Sequence, residues 1–121
     1  MYHIGEADYR PGVTFFGGMS RNMDSPENYG AIRALRPTTG DKVWEYRLHS
    51  STGAGVLSTA AGLVFGAAEG TFFALDAATG KRLWRFQTGG QIGSNPISYS
   101  IGGKQHVAIA AGHDIISFAL K

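Results

Sequence analysis

The stretch from Ala74 to Trp84 reads Ala-Leu-Asp-Ala-Ala-Thr-Gly-Lys-Arg-Leu-Trp, and an earlier one from Ala34 to Trp44 reads Ala-Leu-Arg-Pro-Thr-Thr-Gly-Asp-Lys-Val-Trp. The alanine, glycine and tryptophan that the two copies share are each repeated 40 positions later. A third copy begins at Ala119-Leu120, a step of 45 from Ala74. A period of about 40–45 residues is typical of propellers, in which each repeat folds as one four-stranded antiparallel blade.

Each copy reads as a hairpin between two apolar runs, with the tight turn of the second copy at Thr79-Gly80. Glycine supplies the positive φ that closes such a turn. We expect the Asp76 carboxylate to accept a hydrogen bond from the backbone two residues further on. In the first copy Arg36 replaces the aspartate and Pro37 follows, so the fixed φ of proline is expected to take over this role.

The tryptophan falls at the same point of the outgoing strand in both copies. A large flat ring opposite a small alanine and a glycine indicates an indole that lies across a neighbouring turn and joins one blade to the next. Trp84→Ala is therefore expected to lower the free energy of unfolding by about 3–5 kcal/mol. The structural docking set comprises Ala34, Gly40, Trp44, Ala74, Asp76, Gly80 and Trp84.

The pattern Ala-x-Asp-x-x-Thr-Gly-Lys-x-x-Trp resembles the tryptophan-docking motif of the quinoprotein dehydrogenases, which are β-propellers that use pyrroloquinoline quinone (PQQ). The resemblance extends to Gly55–Gly66, Trp84–Gly89 and Gly103–Gly112, and more weakly to Tyr9–Gly12 and Phe15–Gly18. It runs over nearly the whole chain, and its order implies the C-terminal portion of a PQQ-dependent alcohol dehydrogenase-like protein.

The sequence thus predicts an all-β fold, a partial propeller of roughly 2.5–2.75 four-stranded blades in a single domain. Residues 1–48 are assigned to an incomplete blade, residues 49–88 to a full blade and residues 89–121 to a blade that lacks its last strand. A short strand is expected at Val13–Phe16. Because unpaired strand edges invite pairing with another chain, we expect a homo-oligomer, either a dimer or a trimer.

The composition agrees with a turn-rich β protein. The 121 residues include 18 glycines and 12% aromatic residues, with a net charge of +2. So small and scattered an excess of charge does not indicate a nucleic-acid partner. The sequence has no cysteine, no signal-peptide pattern at its N-terminus and no apolar run long enough to span a membrane. The family resemblance implies a periplasmic protein.

Residue types and spacings mark no catalytic or metal-binding site, because there is no evident carboxylate pair, zinc-ligand spacing or nucleophile motif. The resemblance implies instead that the loop with Gly53, Ala54 and Gly55 faces the cofactor, as the remnant of a PQQ pocket. In the family a tryptophan is common where Gly53 stands, and an indole supplies a stacking surface and an N–H donor. The family's calcium ligands and catalytic aspartate belong to earlier blades.

The resemblance implies a parent protein that oxidises alcohols or aldoses with PQQ held by Ca²⁺. The chain alone is expected to bind neither cofactor and to be inactive, with the remaining propeller blades or a second copy as its partner. The alternative is a non-catalytic propeller scaffold or binding module that closes its ring by self-association, because the same repeat also builds propellers without an active site.

Overall fold

The computed structural model describes residues 9–15 and 29–119 of the chain. Within these ranges the chain forms β-strands and no helix, which confirms the all-β prediction. None of the described residues therefore forms a helix long and apolar enough to cross a membrane. The strands are β1 (Gly30–Leu35), β2 (Lys42–Leu48), β3 (Leu57–Ser58), β4 (Leu63–Ala68), β5 (Thr71–Asp76), β6 (Arg82–Gln87), β7 (Ile97–Ile101), β8 (Lys104–Ala111) and β9 (Asp114–Ala119).

The strands form three antiparallel sheets in chain order. The first sheet is β1-β2, the second sheet is β3-β4-β5-β6 and the third sheet is β7-β8-β9. Because each strand pairs with its neighbour in sequence, every sheet is a meander, as in a propeller blade. The second sheet has the four strands of a complete blade, while the number of blades and the division of the chain at residues 48 and 88 stay predictions.

The central strand β5 packs on both of its faces. Phe72 and Phe73 are consecutive, so their side chains point to opposite faces of the sheet, and both are at most 2% exposed. Phe73 belongs to an apolar cluster between the first and second sheets, together with Leu48, Ala68 and Leu75. Phe72 belongs to a cluster between the second and third sheets, with Ala67, Ile92, Val107, Ile109 and Ala111. The sheets therefore stack face to face, with apolar layers between them.

The short strand expected at Val13–Phe16 is not present at residues 13–15, and Phe16 lies outside the described residues. The chain turns just before this segment, where the Val13 N–H donates to the Arg10 carbonyl at 3.2 Å and Gly12 has a φ of +83°. The Val13 side chain is 64% exposed, so this apolar segment does not form the buried strand that the sequence predicted.

Candidate functional site

The two copies of the repeated motif form turns with the same backbone hydrogen bonds. In the second copy, Asp76 N–H donates to the Lys81 carbonyl and Gly80 N–H to the Asp76 carbonyl, both at 2.8 Å. In the first copy, the equivalent bonds join Arg36 to Asp41 and Gly40 to Arg36, at 2.9 and 2.8 Å. The turn therefore keeps its geometry whether its first residue is an aspartate or an arginine.

Asp76 adds a side-chain cap to the second turn. Its Oδ1 accepts hydrogen bonds from the Thr79 hydroxyl and backbone N–H, both at 2.8 Å, and from the Ala78 N–H at 3.0 Å. The last of these is the bond expected from the residue two positions on. Hydrogen bonds to the ionised form favour it, with the Thr79 hydroxyl as the main cause, and so lower the pKa of Asp76.

Trp44 of the first sheet lies on the turn of the second sheet. Its Nε1–H donates to the Ala77 carbonyl at 2.9 Å. Its ring lies against Gly80, where a side-chain carbon would come within 2.6 Å of Cε3 of Trp44. Gly80 is thus required both by its φ of +71° and by the indole above it.

Trp84 holds the same position in the second sheet, but its surroundings differ. Its ring makes edge-to-face contacts with Phe72 and Phe118 and stacks on Phe86, with centroid distances of 5.0–6.3 Å. It is 37% exposed, and no described glycine lies against its ring in the way that Gly80 lies against Trp44. The β9 strand, after which the matching turn of the third sheet would follow, is described only to Ala119.

A cleft of about 670 Å³, here called the loop cleft, opens beside the connections into the second and third sheets. Residues 50–53 line it from the loop before β3, residues 89–93 from the loop before β7, and Glu69, Gly70 and Gln87 complete the lining. Small-molecule sites commonly measure roughly 300–1,000 Å³. The loop cleft is therefore the candidate functional site of the described chain.

Glycines hold the two loops of the cleft close to the sheets. Gly30 and Gly70 are 40 positions apart and so occupy the same position in consecutive repeats. Gly30 is the first residue of β1, and Gly70 directly precedes β5. A side-chain carbon at Gly30 would collide with the Ser50 carbonyl, and one at Gly70 would lie 3.0 Å from the Gly90 carbonyl. Thr88 fastens the second loop, since its N–H donates to the Gly70 carbonyl at 2.9 Å.

Glu69 carries the only charged side chain among the residues that line the loop cleft in the described part of the chain. It lies in the two-residue turn between β4 and β5, and the Ser50 hydroxyl donates to its Oε1 at 2.9 Å. The neighbouring Gln87 accepts a hydrogen bond from Thr71 at its Oε1, at 2.7 Å. The rest of the lining consists of hydroxyl groups, one further amide, glycine backbone and the buried Ile92.

Of the three residues assigned to a cofactor pocket, only Gly53 lines the cleft. No atom lies within 4 Å of the position where a side-chain carbon of Gly53 would be. Ala54 packs against the apolar cluster between the second and third sheets. Gly55 donates its N–H to Oδ1 of Asn95 at 2.7 Å, and a side-chain carbon at Gly55 would lie 2.5 Å from that oxygen.

Sequence reasoning missed Glu69, Gln87 and the loop at residues 89–93 as parts of one site. A signal was available, since the 40-residue period places residues 90–93 where residues 50–53 stand one repeat earlier. The described residues contain no group of three histidine, aspartate or glutamate side chains that could hold a metal ion.

Comparison with known proteins gives the fold a family. Residues 28–117 match the PQQ_2 family model, which is described as outer membrane protein assembly factor BamB. The chain is 41% identical over 114 residues to the quinoprotein alcohol dehydrogenase PedE of Pseudomonas putida and 40% identical over 114 residues to the quinoprotein ethanol dehydrogenase of Pseudomonas aeruginosa. Each alignment covers 93% of this chain and 18% of the relative.

A solved structure of similar fold is that of a europium-containing methanol dehydrogenase. It shares a TM-score of 0.73 and 34% identity with this chain, over 88% of this chain and 20% of that one. The chain thus spans about a fifth of the length of these relatives, and the three sheets correspond to part of their propellers. From its matched residues and its fold, the chain belongs to the PQQ_2 family, as a part of a quinoprotein alcohol dehydrogenase-like β-propeller.

Proposed function

We propose that this chain forms part of a periplasmic quinoprotein dehydrogenase that oxidises alcohols or aldoses with PQQ and Ca²⁺. The observation that carries the proposal is the 41% identity to the alcohol dehydrogenase PedE over 93% of the chain. The loop cleft supports it, because its loops come from equivalent places in two consecutive repeats and leave a ligand-sized space between them. In the proposal, the cleft contributes one wall of the site of the whole protein.

The residues at the loop cleft fit only one side of a cofactor pocket. No described atom lies within 4 Å of a side-chain carbon placed at Gly53, so the backbone there is open to a ligand, and Gly55 is held in place by Asn95. PQQ, when bound, supplies the two-electron oxidant for the alcohol. The described residues would bound the cofactor on one side and hold the loops in position, and we assign the calcium ligands and the catalytic base to other blades of the parent.

The isolated chain is accordingly expected not to bind PQQ with micromolar affinity, because one wall of a pocket presents few of the contacts of a closed site. Titration calorimetry with PQQ and Ca²⁺ measures this directly. A micromolar site that depends on calcium would show that the chain carries the cofactor pocket by itself.

A chimera tests the dehydrogenase assignment. The chain replaces the matching 114-residue segment of PedE, and PQQ-dependent alcohol oxidation is measured. We expect measurable activity, which Gly53→Trp raises about tenfold, because an indole there adds a stacking surface and an N–H donor toward the cofactor. Ile97→Trp is the control, since Ile97 is an exposed position on β7 outside the lining of the loop cleft, and no gain is expected from it.

The assignment would fail if the folded chimera oxidised no alcohol with either residue at position 53. Equal gains from the two tryptophan variants would instead remove the special role of Gly53. A cooperative thermal melt of the chimera separates both results from simple misfolding.

A scaffold that closes its ring by self-association is the second candidate, favoured by exposed apolar side chains on the third sheet. Ile97, Ile101 and Ile115 are 59%, 64% and 82% exposed, and β9 pairs only with β8 among the described residues. Light scattering at micromolar concentration is expected to give a mass above 12.9 kDa, that of a dimer or a trimer. A monomeric mass with a cooperative melt would contradict self-association.

A further inference from the structure

The loop before β3, residues 49–56, carries Gly53 at the loop cleft. The anchor before Gly53 belongs to the second sheet. The Thr52 hydroxyl donates to the Ala67 carbonyl at 2.7 Å and accepts a hydrogen bond from the Ala54 N–H at 3.1 Å. No described atom lies within 4 Å of a side-chain carbon placed at Gly53, so packing does not fix that residue. The position of Gly53 therefore depends on the anchors on its two sides in the chain.

The anchor after Gly53 comes from the next repeat. The Gly55 N–H donates to Oδ1 of Asn95 at 2.7 Å, so the oxygen of the side-chain amide faces Gly55. A side-chain carbon at Gly55 would lie 2.5 Å from that oxygen, so this contact requires glycine. Because Asn95 stands 40 positions after Gly55, the bond joins equivalent positions of consecutive repeats. It therefore holds the loop before β3 directly to the loop before β7.

The backbone around Asn95 is itself held to the third sheet. The Ser94 hydroxyl donates to the Ala110 carbonyl at 2.9 Å and accepts from the Ala110 N–H at 3.1 Å, so it continues the pairing with β8 before β7 begins. Pro96 follows Asn95 and is buried, and a residue before proline favours an extended conformation. Asn95 thus presents its side chain from a fixed backbone, which is what a residue that positions another loop requires.

From these contacts we infer that Asn95 is a positioning residue for the cofactor site, which fixes the loop before β3 and thereby sets the position of Gly53 in the wall of the loop cleft. Asn95 is not among the residues that line the cleft, so it acts through Gly55 rather than by touching a ligand. The inference rests on the proposed function for the step from loop position to PQQ binding. The loop position itself can be measured in the isolated chain, so the two can fail separately.

The first test is NMR spectroscopy of the ¹⁵N-labelled chain. Asn95→Ala is expected to make the Gly55 amide exchange with solvent at least about tenfold faster and to shift the amide resonances of residues 51–55. Asn95→Asp keeps an acceptor oxygen at the same place and should restore slow exchange. Ser98→Ala is the control, since it also removes one side-chain hydrogen bond of the third sheet, the one that Gln105 donates at 2.8 Å, and it should leave the loop unchanged.

The second test measures the dissociation constant of PQQ from the PedE chimera, by the quenching of tryptophan fluorescence as PQQ is added to the cofactor-free protein. Asn95→Ala and Gly55→Ala should each weaken PQQ binding about tenfold. Together they should weaken it no more than either does alone, because both changes break the same bond. The melting temperature of Asn95→Ala should match that of Ser98→Ala, which separates the positioning of the loop from a loss of stability.

Three results would overturn the inference: unchanged Gly55 exchange and unchanged loop resonances in Asn95→Ala, fast Gly55 exchange in Asn95→Asp, or equal PQQ affinity of the chimera with asparagine and with alanine at position 95. Additive losses from Asn95→Ala and Gly55→Ala would also contradict it, because the two residues would then act separately. A chimera that binds no PQQ with Asn95 in place would contradict the proposed function, and the NMR result alone would then decide the role of Asn95.

Discussion

Replacing Trp44 with alanine is expected to lower the free energy of unfolding by about 3–4 kcal/mol, in the range of large-to-small changes at packed aromatic positions. The indole packs against the cluster between the first and second sheets, lies over Gly80 and donates to the Ala77 carbonyl. Removing it uncovers the turn and opens the contact between two sheets. Urea denaturation followed by circular dichroism measures the loss.

Two variants divide the effect of Trp44 into its parts. Trp44→Phe keeps a ring over the turn but loses the N–H donor, so a cost of about 1 kcal/mol is expected for the missing hydrogen bond. Trp84→Ala should cost less than Trp44→Ala, and less than the value of about 3–5 kcal/mol expected from the sequence, because Trp84 is 37% exposed and packs on aromatic rings. If Trp44→Ala shifted the denaturation midpoint no more than the surface change Lys104→Ala, Trp44 would not join the sheets.

Gly80→Val is expected to destabilise the chain by more than Gly40→Val, with a difference of about 2–3 kcal/mol from overpacking and displacement of the indole. The two glycines are a matched pair, since their φ values are +71° and +76° and each closes the same kind of turn. A valine is strained by the positive φ at both positions. At Gly80 its Cβ would also meet the ring of Trp44 at 2.6 Å, whereas nothing described lies within 4 Å at Gly40.

The measurement is the midpoint of thermal or urea unfolding for the two variants side by side. Equal shifts would mean that the backbone conformation accounts for the whole cost and that the indole contributes nothing at Gly80. The double variant Gly80→Val with Trp44→Ala provides a check, because removal of the ring should remove the steric part of the penalty.

Local sequence signals were sufficient for the all-β class and for the turns of the repeated motif, but not for Val13–Phe16, where residues 13–15 form no strand. In β2, Leu48 belongs to the cluster between the first and second sheets and Trp44 and Tyr46 pack against it, as expected for a strand with one covered face. Glu45 on the other face is half-buried, in ion pairs with Arg33 and Arg47. The cap at Asp76 followed from its chemistry, since a carboxylate at that point of a turn accepts bonds from the backbone beyond it. These features depend on neighbours within a few residues, which the sequence displays directly.

The loop cleft was less accessible to sequence reasoning, because it depends on how two sheets stack. Residues 50–53 and 89–93 meet only when consecutive repeats lie side by side, and the bond from Gly55 to Asn95 spans 40 positions. The positive φ of Glu69, +53°, is likewise not visible in the sequence, where Glu-Gly reads as an ordinary turn. The two tryptophans also looked equivalent in the sequence. In the structure Trp44 donates to the carbonyl of the turn residue Ala77, whereas Trp84 packs on aromatic rings.

The central claim, that these sheets are consecutive propeller blades joined by a tryptophan on the next turn, can be tested within one sample. The measurement is the hydrogen-exchange rate of the two indole N–H groups by NMR. The Trp44 N–H, which donates to the Ala77 carbonyl at 2.9 Å, is expected to exchange as slowly as the backbone amides of the core strands. The Trp84 N–H, which has no hydrogen-bond partner among the described residues, should exchange much faster. Equal and rapid exchange at both indoles would contradict the account.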